Sequence, residues 1–283
     1  MPIIPIFMYH HVNTNAGDRI TITPEAFERS LKFIKEAGYK TLSLDEVVAF
    51  MRGEQEIDAG ACPIAPEPGA IAITFDDAYL DNYVFAWPLL QRYGVKATIF
   101  AVTSWLAVSQ SAADAVSGVE KRSAVDECRR APLRHRQAIK CIEAGETHRA
   151  VMNWDMAREM QDSGLVRFYS HTATHALCDE LSEAEVAKEL VSSKAAIEAE
   201  LGNECPYLCW PKGAFSGNAI SAAKKAGYKA VFTTRHGVAR QGADVFAINR
   251  IAVRDRRCWL ESRLKVYTNP LLSTLYSVFR KRG

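Results

Sequence analysis

The chain has 283 residues, of which 48% are hydrophobic and 24% are charged, and its formal net charge is only +2. This composition is typical of a globular protein, and it excludes both a disordered chain and a nucleic-acid-binding protein with its strongly basic balance. No apolar segment approaches the roughly 18 residues that a membrane-spanning helix needs. The length suits one large domain or two small ones.

Apolar segments typical of strands alternate along the chain with amphipathic segments typical of helices. The predicted strands are residues 3–9, 70–75, 96–102, 165–170, 206–210, 229–234 and 245–253. The predicted helices are residues 23–38, 43–51, 82–94, 153–164, 182–202, 216–228 and 259–266. Ser182 and Glu185 have the spacing of a capping box at the start of the longest helix. This alternation predicts the α/β class with a parallel sheet, closed at this length into a (β/α) barrel.

Residues 104–151 interrupt the alternation, because they are polar, charged and weakly periodic. They follow a predicted strand, so they leave the barrel at the edge where the carboxyl ends of the strands meet. We predict a mostly helical insertion here, called the cap below. Two hypotheses stand equal: the cap lies at the mouth of a site, or it is solvated and has no role in binding. The C-terminal tail, residues 268–283, is apolar and then basic, which favours docking on the protein over a weak peripheral membrane contact.

The seven cysteines are scattered, at Cys62, Cys128, Cys141, Cys178, Cys205, Cys209 and Cys258. An odd set of cysteines, and an apolar start without the basic segment of a signal peptide, indicate reduced thiols in a cytoplasmic protein. Cys128 and Cys141 could pair, and the sequence does not decide it. Cys205 and Cys209 share one face of a predicted strand, which favours a core role over a metal role.

Two adjacent carboxylates, Asp76 and Asp77, follow the predicted buried strand at residues 70–75. An uncompensated buried carboxylate is costly, so each of them needs a partner. His171 and His175 follow another predicted strand, at a spacing that places both on one face of a turn or helix start. Two imidazoles and one carboxylate can hold a divalent metal ion. The other carboxylate could then be a general base for water activated by the metal.

Several short motifs occur in order along almost the whole chain. They are Met8-Tyr9-His10, Thr74-Phe75-Asp76-Asp77, Asp81-Asn82-Tyr83, Lys96-Ala97-Thr98-Ile99-Phe100, Ser170-His171-Thr172-Ala173-Thr174-His175, Trp210-Pro211-Lys212-Gly213 and Asn249-Arg250-Ile251. This ordered set resembles the polysaccharide deacetylases, the family that shares the NodB homology domain (carbohydrate esterase family four). The resemblance implies one catalytic domain over residues 1–283, folded as an irregular (β/α) barrel. It also implies metal-dependent hydrolysis of the N-acetyl groups of amino sugars.

The resemblance implies roles for individual residues. Asp76 would be the general base, and Asp77, His171 and His175 would bind the metal, most often zinc, although cobalt and nickel suit the same ligands. A backbone N–H near Lys212 or Gly213, next to Pro211, would help the metal to stabilise the oxyanion that forms on the acetamide. Aromatic residues available to stack on a sugar are Tyr79, Trp105, Trp154 and Trp210, although a tryptophan in the core is the simpler explanation.

The sequence departs from the family pattern in two motifs. Ala78 replaces the glycine that usually follows the aspartate pair, where a positive φ would cost an alanine about 1 kcal/mol. Lys212 stands where an aromatic residue is common, and the arginine usual in that motif is absent. Arg250 is a candidate to orient Asp76 instead, and a purely structural salt bridge is an equally good hypothesis.

The late leucine–x–histidine motif of the family, the source of the general acid, is also missing. His10 is our first candidate to protonate the leaving amine, His236 the second, and the protonated Asp76 the third. An equally good hypothesis is that neither His10 nor His11 is catalytic, one being buried and hydrogen-bonded and the other lying on the surface. We predict that His135 and His148 are solvated residues of the cap.

We therefore predict a hydrolase that removes N-acetyl groups from an amino sugar of a cell-surface glycan or its precursor. The expected location is the cytoplasm, or the inner membrane face, where a lipid-linked or nucleotide-linked sugar would be the substrate. One alternative is the same metal chemistry on a non-sugar amide or ureide. The other is a catalytically silent carbohydrate-binding homologue, supported only by Ala78 and the missing late histidine.

Overall fold

The computed structural model describes residues 3–56, 69–115, 121–256, 258–269 and 272–273. Its strands are β1 Ile3–Ile4, β2 Ile6–Tyr9, β3 His11–Val12, β4 Thr21–Ile22, β5 Lys40–Thr41, β6 Ala70–Asp76, β7 Ala97–Ala101, β8 Val166–Ser170, β9 Tyr207–Cys209, β10 Ala230–His236, β11 Ala239–Arg240 and β12 Ile248–Ala252. Its α-helices are α1 Pro24–Glu36, α2 Leu44–Arg52, α3 Trp87–Tyr93, α4 Thr103–Ala115, α5 Lys121–Arg130, α6 His135–Glu143, α7 Trp154–Asp162, α8 Glu183–Leu201, α9 Gly217–Lys225 and α10 Trp259–Tyr267. Short 3-10 helices span Thr147–Arg149 and Pro211–Gly213, and a π-helical turn spans Asn82–Ala86.

The central sheet is parallel and closes on itself. Its strand order is β2–β12–β10–β9–β8–β7–β6, and β6 pairs in turn with β2, where Phe7 lies opposite Ile73. The ring is irregular: the short strand β5 pairs with the start of β6, and the pairing of β10 with β12 shifts between Phe232 and His236. The structure therefore confirms the predicted α/β class and the irregular barrel.

Burial of the strands and helices follows the pattern of a covered parallel sheet. Every residue of β6 and of β7 is buried. The helices turn their apolar stripes to this sheet, and α1 buries the predicted face of Phe27, Leu31 and Ile34. Among the described residues, no helix is both long and apolar enough to cross a bilayer.

Prolines divide two segments that the sequence predicts as single elements. Pro5 separates β1, which pairs antiparallel with β11, from β2. The predicted helix at residues 82–94 begins as a π-helical turn and continues as α3, which ends at Gly94 with φ 61°. Pro88 lies in the first turn of α3, where its missing N–H removes no α-helical hydrogen bond.

The cap contains α5, α6 and most of α4, and its end returns to the barrel beside the aspartate pair. Met152 N–H donates to the carbonyl of Ala78, and Leu80 N–H donates to the carbonyl of Ala150. Cys62 and most of the C-terminal tail lie outside the described residues, so the docking prediction for the tail stays a prediction. The described cysteines, which include Cys128 and Cys141, are free thiols.

Candidate metal and catalytic site

The carboxyl ends of the barrel strands form an edge, called the rim below, that lines a cleft of about 560 Å³. The rim contributes His10, Asp76, Asp77, Tyr79, His171, Thr174, His175, Lys212 and Thr234. The cap contributes Trp105, His135, Ile139, Ile142 and Glu143. The predicted convergence of β-strand ends therefore brings the aspartate pair and the histidine pair into one cavity, and the cap forms part of its wall.

Asp76, the last residue of β6, is compensated by a bidentate ion pair. Arg250 Nη1 lies 2.6 Å from Asp76 Oδ1, and Nη2 lies 2.7 Å from Oδ2. Both side chains are almost completely inaccessible to solvent. Burial by itself would raise the pKa of Asp76, but the charge and hydrogen bonds of Arg250 hold that pKa well below its usual range. Asp76 is therefore ionised at neutral pH, as a general base must be.

Arg250 is in turn held on every side by the barrel. It lies inside β12, and its Nε donates to the carbonyl of Thr233 while Nη1 donates to the hydroxyl of Thr74. Its Nη2 also lies 2.9 Å from Cys209 Sγ. The guanidinium thus has one orientation, and it fixes the plane of the Asp76 carboxylate. The catalytic and the structural hypotheses for Arg250 both fit this geometry.

Asp77 has a different environment from its neighbour. Its Oδ1 is buried and has no hydrogen-bond partner among the described residues. That oxygen lies 3.5 Å from Nε2 of His171 and 3.3 Å from Nε2 of His175. His171 Nδ1 lies 2.8 Å from the carbonyl of Cys209, to which it can only donate, so Nε2 of the neutral ring carries the lone pair. An unpaired carboxylate oxygen facing imidazole nitrogens fits a divalent metal ion.

A second group of potential metal ligands, Asp76, His171 and Cys209, shares one histidine with this set. It fits a metal less well, because both oxygens of Asp76 already accept from Arg250. Burial also raises the pKa of the Cys209 thiol well above its usual range, which disfavours the thiolate that a metal needs. The group of Asp77, His171 and His175 is therefore the better candidate metal site.

The segment between the two histidines is an irregular loop and not the start of a helix. Thr172 and His175 have φ values of 66° and 64°, in the left-handed region. Glu189 on α8 holds the loop, because its carboxylate accepts from the N–H groups of Ala173 and Thr174 and from the hydroxyl of Thr174. Sequence reasoning missed Glu189, since it lies on a helix with no local link to the histidines.

The backbone at the aspartate pair is strained. Asp77 has φ 74° and Ala78 has φ 54°, so the alanine that replaces the usual glycine adopts the conformation that favours glycine. Burial by itself would raise the pKa of Asp77, but the two histidines lower it. Burial also lowers the pKa of His175 to about 4. A neutral His175 and an ionised Asp77 are the protonation states that metal binding requires of these two residues.

The structure separates the candidates for the general acid. His10 lines the cleft, and its Nε2 lies 3.9 Å from Asp76 Oδ2. Burial lowers the pKa of His10, although Asp76 and Asp77 oppose that shift. His236 ends β10 and is not among the residues that line the cleft, and its Nε2 lies 3.2 Å from the hydroxyl of Tyr267 on α10. The position of His10 suits proton donation into the cleft better than that of His236.

The segment after β9 distinguishes the two candidate oxyanion donors. Gly213 N–H donates to the carbonyl of Trp210 within the 3-10 turn, so it is occupied. Lys212 N–H has no acceptor among the described residues, and Lys212 lines the cleft with φ 53°. Pro211 is buried beneath it. Of the pair that the sequence left open, the Lys212 N–H remains available.

The candidate aromatic residues fall into two groups. Tyr79 and Trp105 line the cleft, and the Trp105 ring lies over His175 with ring centroids 5.3 Å apart. Trp210 and Trp154 are buried and do not line it. The simpler explanation, a tryptophan in the core, therefore holds for these two residues.

His135 lies in the cleft wall, contrary to its prediction as a solvated residue of the cap. Its Nδ1 lies 3.3 Å from Nε2 of His11 and 3.4 Å from the hydroxyl of Tyr79. His148, in contrast, is half-buried and does not line the cleft. No local signal distinguishes these two histidines, because the packing of α6 against the rim decides which of them reaches the site.

Comparison with known proteins agrees with this fold and this site. The profile of the polysaccharide deacetylase family matches residues 64–231, more than half of the chain. The chain belongs to the polysaccharide deacetylase family. The predicted family, and with it the predicted hydrolase class, are confirmed.

Individual polysaccharide deacetylases show how far the likeness extends. The Bacillus subtilis (strain 168) protein YxkH, named for this family, is 24% identical over 250 residues, 88% of this chain and 71% of that protein. The poly-beta-1,6-N-acetyl-D-glucosamine N-deacetylase of Escherichia coli (strain K12) is 22% identical over 289 residues. That match covers 92% of this chain but only 38% of the E. coli protein.

Among solved structures, the Streptococcus pyogenes deacetylase PplD in complex with acetate superposes with a TM-score of 0.72 and 22% identity. The match covers 95% of this chain and 100% of that chain. At this identity the likeness shows the fold alone, and it confirms that the irregular barrel is of the polysaccharide deacetylase type.

Proposed function

We propose that this protein is a metal-dependent N-deacetylase that hydrolyses the acetamide of an N-acetylated amino sugar in a glycan. One observation carries the proposal. The buried Oδ1 of Asp77 has no hydrogen-bond partner among the described residues and faces two imidazole nitrogens, while the adjacent Asp76 is fixed in an ion pair with Arg250. A cation ligand set beside an oriented, ionised carboxylate is the arrangement that amide hydrolysis by activated water needs.

Different side chains would bind the metal ion and accept the proton of the attacking water. Asp77, His171 and His175 would hold the metal ion, for which zinc is the first candidate and cobalt and nickel are alternatives. When bound, such an ion would activate a water molecule and polarise the acetamide carbonyl. Asp76 accepts the proton of the attacking water, because its lowered pKa keeps it ionised, and Arg250 keeps its oxygens in place.

The two remaining steps use groups on either side of Asp76. The Lys212 N–H, available at the cleft, donates to the oxyanion of the tetrahedral intermediate. His10, at 3.9 Å from Asp76, would pass to the leaving amine the proton that Asp76 takes from water. The protonated Asp76 is the alternative acid, since it then carries the proton taken from water. The products are acetate and a free amino sugar.

The proposed substrate is a glycan that contains N-acetylglucosamine. It is supported by the name of the E. coli relative, a poly-beta-1,6-N-acetyl-D-glucosamine N-deacetylase, and by Trp105 and Tyr79 in the cleft wall. A cytoplasmic location with a lipid-linked or nucleotide-linked sugar stays a prediction from the sequence. Fractionation of cells that express the native gene tests it, and recovery of the protein outside the cytoplasm contradicts it.

Metal content and acetate release, measured on the same preparations, test the proposed function. Wild type loaded with zinc should hold about one ion per chain and release acetate from β-1,6-linked N-acetylglucosamine oligosaccharides. Asp77→Asn keeps the size of the side chain but removes its charge, so both signals should fall to background. His148→Gln, which changes a histidine outside the cleft, is the matched control and should retain both.

Each other outcome has a definite meaning. Full metal content in Asp77→Asn would contradict the assignment of the metal ligands. If metal-loaded wild type releases acetate from no N-acetylhexosamine derivative, the result would favour a non-sugar amide as the substrate. A wild type that binds the oligosaccharide without any hydrolysis would favour the silent carbohydrate-binding homologue.

A further inference from the structure

A second buried polar chain runs beside the candidate metal site and ends in the cap. Asp81 Oδ2 accepts from Nδ1 of His11 at 2.7 Å and from Nδ2 of Asn13 at 2.6 Å. Asp81 Oδ1 accepts from Asn82 Nδ2 at 2.9 Å, so this carboxylate is surrounded by donors. His11 is 1% exposed and stacks on the ring of Tyr79, with centroids 3.8 Å apart.

The donors and acceptors along this chain fix the orientation of His135. In the tautomer in which His11 carries its single ring proton on Nδ1 and donates it to Asp81, Nε2 of His11 is an acceptor. His135 Nδ1, at 3.3 Å from that nitrogen, is therefore the donor. The backbone N–H of His135 donates to Asp18 Oδ2 at 2.9 Å, and this bond anchors the first residue of α6. The ring of His135 is thus set by Asp81 through His11.

The other ring nitrogen of His135 has no such partner. Its Nε2 makes no hydrogen bond within the described part of the chain, although the half-buried ring lines the cleft. Its neighbour Tyr79 lies two residues from Asp77, and burial, together with the charge of Asp77, raises the pKa of the Tyr79 hydroxyl. Ile139 and Ile142 follow on the same face of α6 and line the same cleft. An oriented nitrogen with a lone pair is therefore presented beside the candidate metal site.

We propose that His135 is a substrate-binding residue, whose Nε2 accepts a hydrogen bond from a hydroxyl group of the sugar that occupies the cleft. This inference rests on the proposed function, and it assigns the cap a role in substrate recognition. A sugar held by its acetamide at the metal site has several hydroxyl donors within a few ångströms. The side chains of Ile139 and Ile142 offer no acceptor for them, whereas Nε2 of His135 does. The alternative is a structural role, in which the contact of His135 with His11 only holds α6 on the barrel.

Two near-isosteric substitutions separate binding from structure. The amide nitrogen of an asparagine can replace Nδ1, so His135→Asn keeps the donor to His11 but loses the acceptor in the cleft. A glutamine places its amide near the position of Nε2, so His135→Gln keeps a polar group in the cleft but loses the donor to His11. His148→Asn, in the same cap but outside the cleft, is the matched control.

If His135 binds the sugar through Nε2, His135→Ala and His135→Asn should raise KM for acetate release about threefold to tenfold. Their kcat should change less than about twofold, because Asp76 and the metal ligands are untouched. KM in His135→Gln should be close to that of wild type. The zinc content of all variants should equal that of wild type. A structural role predicts the reverse order, with wild-type KM and Tm in His135→Asn and a loss in His135→Gln. That order, or an unchanged KM in His135→Ala, would overturn the inference.

Calorimetric titration with a β-1,6-linked N-acetylglucosamine oligosaccharide separates this inference from the proposed function. If wild type releases acetate and KM is unchanged in His135→Ala, the inference fails and the function stands. If wild type binds the oligosaccharide without releasing acetate, the function fails. The inference then stands only if His135→Ala binds at least about threefold more weakly. If wild type neither binds nor hydrolyses it, both fail.

Discussion

The outer helices and the rim of the barrel obey different local rules. In the outer layer, backbone preferences are satisfied: both hydrogen bonds of the capping box at the start of α8 are present, between Ser182 and Glu185. The same helix ends at Gly202 with φ 68°, as a left-handed C-cap requires. Such elements could be read from the sequence because each of them depends on a few neighbouring residues.

At the rim the local preferences are broken. The positive-φ residues other than glycine that the structure describes are Asp77, Ala78, Thr172, His175, Lys212 and Cys258, and all but the last belong to the candidate site. Each such conformation costs on the order of 1 to 3 kcal/mol and persists only where surrounding packing enforces it. The contrast teaches that the outer layer supplies stability and that the rim uses some of it to bring charged side chains together.

The largest effect should come from Arg250, because its ion pair is buried, and an exposed ion pair with one equally short contact offers a comparison. Arg92 Nη1 lies 2.6 Å from Glu28 Oε1 on the surface, the same separation as Arg250 Nη1 from Asp76 Oδ1. Arg250→Met leaves the Asp76 carboxylate buried without its partner and should lower the free energy of unfolding by about 3 to 5 kcal/mol. Arg92→Met should cost at most about 1 kcal/mol, because water screens that pair.

Denaturant unfolding and acetate release on both variants measure this difference. Arg250→Met should also lower kcat about a hundredfold or more, since a misplaced base loses most of its contribution. Arg250→Lys keeps the charge but cannot form two parallel hydrogen bonds to Asp76, so it should fall between wild type and Arg250→Met. Equal losses of stability in Arg92→Met and Arg250→Met would break the comparison between surface and rim.

The parts of the fold and site that could be predicted are those written in short segments. The strand at residues 70–75 and the apolar face of α1 follow from local periodicity, and the rim position of Asp76 follows from the end of its strand. The π-helical turn before Pro88 was missed, because a proline predicts a break without specifying which helical geometry precedes it.

The parts that could not be predicted depend on contacts between distant segments. Glu189 supports the histidine loop from α8, and His135 meets His11 across 124 positions of sequence. Neither contact leaves a spacing or a periodicity in the chain. Arg250 was proposed as a partner of Asp76 only through a family motif, since the barrel closure that joins β12 to β2 is itself a tertiary feature.

A smaller effect should come from relieving strain outside the rim. Cys258 is exposed and has φ 55°, so no buried contact opposes its replacement by glycine. Cys258→Gly should raise the free energy of unfolding by about 1 kcal/mol without changing kcat or KM. Thermal and denaturant unfolding measure the gain. A loss of activity in this variant would show that strain there serves the site, contrary to the division proposed here.

An effect of similar size and opposite sign should come from the outer layer itself. Ser182→Ala removes the side chain that accepts from Glu185 N–H at the start of α8, and it should cost about 1 kcal/mol. Ser182→Asp restores an acceptor and should recover most of that loss. Because α8 also carries Glu189, zinc content is measured alongside stability. Reduced zinc content in Ser182→Ala at temperatures where it is folded would contradict a purely stabilising role for the outer layer.

The smallest effect concerns the capping box at the start of α2, and it depends on pH. Burial opposes the charge of Glu46, but hydrogen bonds from Ser43 N–H and Lys96 Nζ outweigh burial and lower its pKa. Because the folded pKa lies below the unfolded one, this stabilisation is complete above the unfolded pKa and disappears as the pH falls through the folded pKa. The free energy of unfolding of wild type should therefore exceed that of Glu46→Gln by about 0.5 kcal/mol near neutral pH, and the difference should disappear as the pH falls through the folded pKa of Glu46. Urea unfolding at neutral pH and at a series of acidic pH values measures it. A difference that does not change with pH would mean that the hydrogen bonds of Glu46, and not its charge, stabilise α2, so that this part of the outer layer would not respond to acid at all.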